Sequence, residues 1–178
     1  MNCTSALTGV LAIILTVTGC ASASANERLF LQVPAMLDPA APIPIAVKNQ
    51  CSPEMFLGNY ALSEIERRVG PVQSVSAPEQ AGTDKIVQLT ILGVHAPGGG
   101  MWSGRKSVGV RVDLRKGEAL VGTTFLTRSS KRGAVGTCAL LDRVVRALGK
   151  DIAVWLSRGP TVQFAGSDEP ESPATIDE

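Results

Sequence analysis

Three segments in the middle of the chain have the hydrophobic and polar pattern of β-strands. Residues 85–94 form a run of β-branched and aliphatic side chains, and residues 107–115 alternate strictly between apolar and polar. The apolar positions of the second segment are Val108, Val110, Val112 and Leu114, which share one face of a strand. Residues 119–127 follow a short turn, which favours a hairpin. The pattern predicts a sheet that is buried on one face and wet on the other.

Two amphipathic segments can cover the buried face. Ser52, Pro53 and Glu54 are typical of a helix start, and Gly70 with Pro71 is a stop signal. A second helix is predicted after Thr137, a candidate cap. Its apolar positions recur every three or four residues and are Leu141, Val144, Val145, Leu148, Ile152, Trp155 and Leu156.

Residues 45–48 are predicted to be a short first strand, and residues 72–84 a polar connection. The order of elements is then β-α-β-β-β-α. This order predicts an α/β fold of the α+β two-layer sandwich type, with a four-stranded mixed sheet and two helices on one face.

The ends of the chain differ from this middle part. Residues 1–19 are predicted to be an export signal, because their apolar stretch is shorter than the roughly 20 residues of a membrane-spanning helix. Residues 20–44 contain several prolines and are predicted to be an extended tether. The domain is predicted over residues 45–159, and residues 160–178 form a disordered acidic tail.

The end of the export signal has two interpretations. Residues 17–20, Val-Thr-Gly-Cys, resemble the lipobox of bacterial lipoproteins, in which the cysteine is acylated and becomes the mature N-terminus. This resemblance implies lipidation of Cys20. No Asp follows Cys20, which by analogy implies the outer membrane, periplasmic side. Alternatively, residues 23–25 would serve an ordinary signal peptidase and leave a soluble periplasmic or secreted protein.

Removal of the signal and lipidation of Cys20 leave Cys51 and Cys138 in an oxidising compartment. We predict a disulfide between them, the alternative being two separately buried cysteines. Each precedes a predicted helix, and the predicted topology brings both helix starts to one edge of the sheet. A bridge closing so long a loop would contribute roughly 4–5 kcal/mol.

Positive charge is concentrated in one part of the chain. The net charge is +1, but five of the 16 acidic residues lie in the tail, and residues 105–132 hold eight basic residues and two acidic ones. Arg105, Lys106, Arg111 and Arg128 are therefore candidates for binding an anionic envelope polymer or an acidic partner protein. The alternative is a solvated face whose charges protect exposed strands.

No pattern of residues indicates catalysis. His95 is the only histidine and lacks a second metal ligand or a nucleophile at a suitable spacing, so we expect no enzyme, no metal and no cofactor.

The glycine-rich segment 98–104 joins two strands and lacks the lysine of a phosphate-binding loop. Its Met101 and Trp102 are candidate contacts for a partner or membrane surface, unless the loop folds back over the sheet. Aromatic residues make up only 4% of the chain, which argues against nucleic-acid binding.

The lipobox, the size and the order of elements together resemble a group of small envelope lipoproteins. The group includes the lipopolysaccharide-assembly lipoprotein, auxiliary lipoproteins of envelope transporters and activators of peptidoglycan synthases. Segments 101–107, 127–130 and 147–155 also resemble uncharacterised proteobacterial lipoproteins. The likeness spans residues 45–156 and implies a lipid-anchored, non-catalytic binding or assembly component of the envelope. Two alternatives remain open: a soluble solute-binding or enzymatic domain, and a purely structural lipoprotein.

Overall fold

Three long strands and three helices dominate the computed structural model, which describes residues 28–97, 104–130 and 136–160. In chain order the elements are β1 (Leu29–Gln32), β2 (Met36–Leu37), α1 (Ile45–Cys51), α2 (Pro53–Arg68), β3 (Val72–Val75), a 3-10 turn (Pro78–Ala81), β4 (Lys85–His95), β5 (Ser107–Lys116), β6 (Ala119–Ser129) and α3 (Thr137–Ser157). The sheet has the strand order β3-β1-β4-β5-β6, with β2 also paired to β4. β1 is parallel to β3 and β4, whereas β4, β5 and β6 are antiparallel.

The alternation along β5 determines which face of the sheet is buried. Its four apolar residues are buried, whereas Arg111 and Asp113 between them are only half-buried. Gly117, with a φ of 55°, supplies the left-handed conformation of the β5–β6 turn. The predicted hairpin and its wet face are thus confirmed.

The helices cover only the apolar face of the sheet. α2 and α3 pack against each other and meet the sheet through Leu57 and Ile65 of α2 and Leu148 and Ile152 of α3, all fully buried. The predicted α+β class with helices on one face is confirmed. Within the described residues, however, the sheet has six strands rather than four, and there are three helices rather than two.

Residues 45–48 are helical, so the prediction of a first strand there is wrong. These residues open α1, in which Val47 and Cys51 are buried one turn apart. The β-branched residues Ile45 and Val47 favour a strand by propensity. In α1 the burial of Val47 and Cys51 on one face of the helix outweighs this preference for a strand.

The first strand lies in the segment that was predicted to be a tether. β1 occupies an interior position between β3 and β4, and Leu31 is fully buried beside Val87. The prediction of an extended tether is therefore wrong from residue 29 onward. Residues 72–84 likewise contain β3 and the 3-10 turn, not only a polar connection.

The two ends of the sheet are distinct. We call the end at Leu29, Lys85 and Lys116 the basal end, because these residues are aligned across β1, β4 and β5. The apical end lies at His95, which is aligned with Ser107 and, through it, with Ser129. The eleven residues of β4 span about 34 Å between the two ends.

A disulfide joins the helices at the apical end. Cys51 at the end of α1 is bonded to Cys138 in the first turn of α3, with the Cα atoms 5.1 Å apart. The predicted pair is confirmed. Among the described helices, none is long and apolar enough to cross a membrane. Cys20 and the acidic tail after Pro160 lie outside the described residues.

Candidate partner-binding groove

Arg111 belongs to a polar network on the uncovered face of the sheet. Its Nε lies 3.0 Å from Asp113 Oδ2, and Thr123 of β6 donates a hydrogen bond of 2.6 Å to Asp113 Oδ1. Asp113 is therefore held by one partner on its own strand and one on the neighbouring strand. The Asp113 carboxylate offsets the positive charge of Arg111.

Arg128 lies on the other side of the sheet. It is aligned with the buried Val108 of β5, so its side chain leaves β6 on the side of the helices. There it forms a bidentate ion pair with Asp151 of α3, at 2.5 Å and 2.7 Å. The hydrogen bond that Arg128 donates to Asp151, and then the charge of Asp151, raise the pKa of Arg128. Arg111 and Arg128 therefore do not form a single basic surface.

The remaining sequence candidates lie at or near the apical end. Arg105 is exposed. Lys106 is fully buried, and its Nζ donates a hydrogen bond to the carbonyl oxygen of Pro97. Burial withdraws Lys106 from the surface that a partner could contact. Met101 and Trp102 lie outside the described residues.

A groove runs between β6 and the last turns of α3. Its volume is about 610 Å³, and Arg128 with Asp151 forms part of its wall. The lining residues are Thr124, Phe125, Leu126, Thr127, Arg128, Asp151, Val154, Trp155, Arg158 and Gly159. The groove thus combines an aromatic and aliphatic surface with two arginines and one carboxylate.

One wall of this groove is an edge strand. Within the described part of the chain, the eleven-residue strand β6 pairs only with β5. Phe125 and Leu120 on this strand are 41% and 44% exposed. An edge strand of this length with exposed apolar side chains is a template for pairing with another extended chain.

A second depression at the apical end contains His95. It measures about 430 Å³ and is lined by Pro42, Ile43, Pro44, Val94, His95, Ala96 and Pro97. Asp113 and Arg111 do not line it, and no group of three metal-ligating side chains occurs among the described residues. The lining therefore offers no described partner for acid–base chemistry at His95.

The groove was not predicted from the sequence. Trp155 belongs to the apolar stripe predicted for the last helix, and no pattern in the sequence singles out Asp151. The feature of the sequence that could have indicated the groove is the position of Trp155 and Asp151 in the last turns of α3. The strand beside these turns, β6, has the basic residue Arg128 near its end. That signal requires knowing that β6 and α3 are neighbours.

The fold has counterparts among solved structures. Protein XCC0632 from Xanthomonas campestris, assigned to DUF330, matches with a TM-score of 0.52 at 9% identity, covering 74% of this chain and 84% of that protein. The PelC dodecamer from Paraburkholderia phytofirmans matches with a TM-score of 0.47 at 12% identity, covering 70% and 86% of the two chains. A minor lipoprotein from Acinetobacter baumannii has a TM-score of 0.40 at 14% identity, covering 75% and 96%. No protein-family model and no curated protein matches the chain. The likeness to XCC0632 shows a shared fold.

Proposed function

We propose that this protein is a lipid-anchored, periplasm-facing component of a bacterial envelope that binds a protein partner without catalysing a reaction. The partner contributes an extended segment that lies along the outer edge of β6 and places side chains in the groove beside α3. The observation that carries this proposal is the adjacency of an eleven-residue edge strand and a groove of about 610 Å³.

The chemistry of the groove suits an extended peptide. Strand addition obtains its affinity from main-chain hydrogen bonds and its specificity from pockets that accept alternate side chains. Trp155 and Leu126 offer apolar contact, and Arg158 offers a cation at the rim. Arg128 is already paired with Asp151, so it shapes the wall rather than providing an unpaired charge.

The envelope location rests on the sequence and is supported by the names of proteins with similar folds. The Val-Thr-Gly-Cys segment ending at Cys20 supports acylation, and a minor lipoprotein is among the structures that match. The outer membrane is the proposed site, because no Asp follows Cys20.

The anchor is tested by the intact mass of the protein purified from membranes of its host. A triacylated chain that begins at Cys20 is expected, lighter by two protons before reduction than after it. A soluble chain that begins at Asn26 would contradict the anchor. This measurement is independent of partner binding.

The partner site is tested by photocrosslinking in intact cells. A photoreactive residue is placed at Val154 or Arg158, which both line the groove, and at Arg143, an exposed position of α3 outside it. We expect the same discrete adduct from the two groove positions and none from Arg143. Leu126→Ala should weaken both adducts, because Leu126 is aligned with the buried Val110 and its side chain lies on the groove side of β6. Equal crosslinking at all three positions would contradict a specific site.

A further inference from the structure

We propose that residues 161–165, which directly follow the last described residue, lie along β6 at the end of the groove that Gly159 lines, and that a partner binds by displacing them. The second part of this inference rests on the proposed function, because it concerns the regulation of the same groove. The segment is the occupant of this surface when no partner is bound.

The chain leaves α3 directly beside β6. Gly159 follows the last helical turn and lines the groove, and its φ of 84° turns the backbone away from the helix direction. Pro160 then lies against Gly122 of β6. A Cβ atom at Gly122 would be only 2.8 Å from the Pro160 Cβ and 3.1 Å from its carbonyl carbon. Residues 161–165 are thus attached, without a linker, beside the strand that forms one wall of the groove.

This segment has the composition of a strand rather than that of the acidic tail. Its sequence, Thr-Val-Gln-Phe-Ala, alternates polar and apolar side chains and includes β-branched and aromatic residues. The carboxylates at the end of the chain begin only at Asp168. In an extended conformation, Val162 and Phe164 lie on one side of the segment and Gln163 on the other.

β6 offers apolar contacts on both sides of Gly122. Leu120 and Val121, which precede it, are 44% and 37% exposed. Leu126, which follows it, lines the groove together with Val154. Among the described strands, β6 has β5 as its one paired neighbour. A strand in this position is where an extended segment with alternate apolar side chains adds to a sheet.

Covalent attachment favours the chain's own segment over a foreign peptide. A segment held by a short connection has an effective concentration on the order of millimolar. If it occupies the surface about nine-tenths of the time, the apparent affinity of a partner falls about tenfold. Only a partner with a correspondingly higher intrinsic affinity then enters the groove.

Hydrogen–deuterium exchange in the purified full chain, without a partner, tests where the segment lies. Deletion of residues 161–165 alone should speed exchange of residues 119–125 about tenfold, the factor expected for an occupancy of about nine-tenths. Exchange of β3, the strand at the opposite edge of the sheet, should not change. Deletion of residues 166–178 alone is the matched control and should leave β6 protected.

Point variants distinguish docking from a general effect of the deletion. Val162→Asp combined with Phe164→Asp should reproduce the faster exchange of β6, because both charges would enter an apolar contact. Gln163→Asp, which introduces a charge on the other side of the segment, should leave the exchange unchanged.

Photocrosslinking from Val154 in intact cells tests displacement. At equal expression, the chain without residues 161–165 should give up to about ten times more intermolecular adduct than the full chain. Unchanged exchange of β6 after the deletion would overturn the proposal, and so would an unchanged adduct. The absence of any adduct from both chains would contradict the partner of the proposed function, and the exchange experiment would still decide where residues 161–165 lie.

Discussion

Gly149 of α3 lies directly against the backbone of Ala61 in α2. A Cβ atom at Gly149 would be 3.0 Å from the Ala61 nitrogen and 3.0 Å from the carbonyl carbon of Tyr60. Both neighbours are main-chain atoms inside a helix, which cannot move aside as a flexible side chain can. The glycine therefore sets how closely the two helices approach over the sheet.

We expect Gly149→Ala to lower the free energy of unfolding. Overpacking costs about 1–3 kcal/mol and the better helix propensity of alanine returns about 1 kcal/mol, so the net loss should reach up to about 2 kcal/mol. Urea denaturation measures it, with Gly109→Ala as control, because a methyl group there meets nothing closer than 3.7 Å. A Gly149→Ala protein more stable than the parent would show that the helices separate easily.

The disulfide should supply a large part of the stability. The bridge between Cys51 and Cys138 closes a loop over a sequence separation of 87 residues. The chain-entropy model gives roughly 4–5 kcal/mol for a loop of this length. We expect Cys51→Ala with Cys138→Ala to lose about that amount, and urea denaturation under reducing conditions to reproduce the loss in the parent. A loss below about 1 kcal/mol would mean that the unfolded chain is already compact.

The parts of the fold that were predictable are those with a local pattern. The alternation of β5 and the spacing of α3 repeat over enough residues to identify both element and buried face. β1 has only four residues and is followed by Pro34, so its pattern is too short to distinguish a strand from a tether. Its interior position comes from pairing with two distant strands, which no local pattern encodes.

The candidate site was less predictable than the fold. Arg111 and Arg128 are both basic residues in predicted strands. The register between β5 and β6, however, places their side chains on opposite faces of the sheet. The groove depends on which strand takes the edge and on where the end of α3 lies. The edge position of β6 and the location of the end of α3 each depend on how separate elements pack together, which no local sequence pattern shows.

Tyr60 links the two long helices through a polar contact. Its hydroxyl donates a hydrogen bond of 2.6 Å to Asp142 Oδ1 and accepts one of 2.9 Å from Arg146. We expect Tyr60→Phe to lose about 1–2 kcal/mol, because both bonds involve charged partners but are partly exposed to water. Thermal denaturation measures the loss, and Ser63→Ala serves as the control for an exposed hydroxyl of the same helix. An unchanged Tm would show that water replaces the hydroxyl fully.

Glu64 should give a small, pH-dependent contribution. Hydrogen bonds from Arg67 hold the pKa of its carboxyl below the ordinary value. The stabilisation is therefore present above the unfolded pKa of about 4.3 and is lost as the pH falls through the lower folded pKa. We expect Glu64→Gln to cost about 0.3–0.5 kcal/mol at neutral pH, the usual size for an exposed pair on a helix. Urea denaturation should show a smaller difference as the pH falls below the unfolded pKa, and high salt should reduce the neutral-pH effect.

Two substitutions of Lys106 separate the contribution of its ammonium group to stability from the contribution of its packing. It is fully buried and bonds the carbonyl of Pro97, so Lys106→Met keeps the packing but removes a buried charge and one hydrogen bond. Replacing buried ionic groups by apolar ones is often neutral or stabilising. We expect Lys106→Met to unfold at the same or a higher urea concentration, and Lys106→Ala to lose about 2 kcal/mol or more through the cavity. Equal losses in both variants would show that the ammonium group itself stabilises the fold.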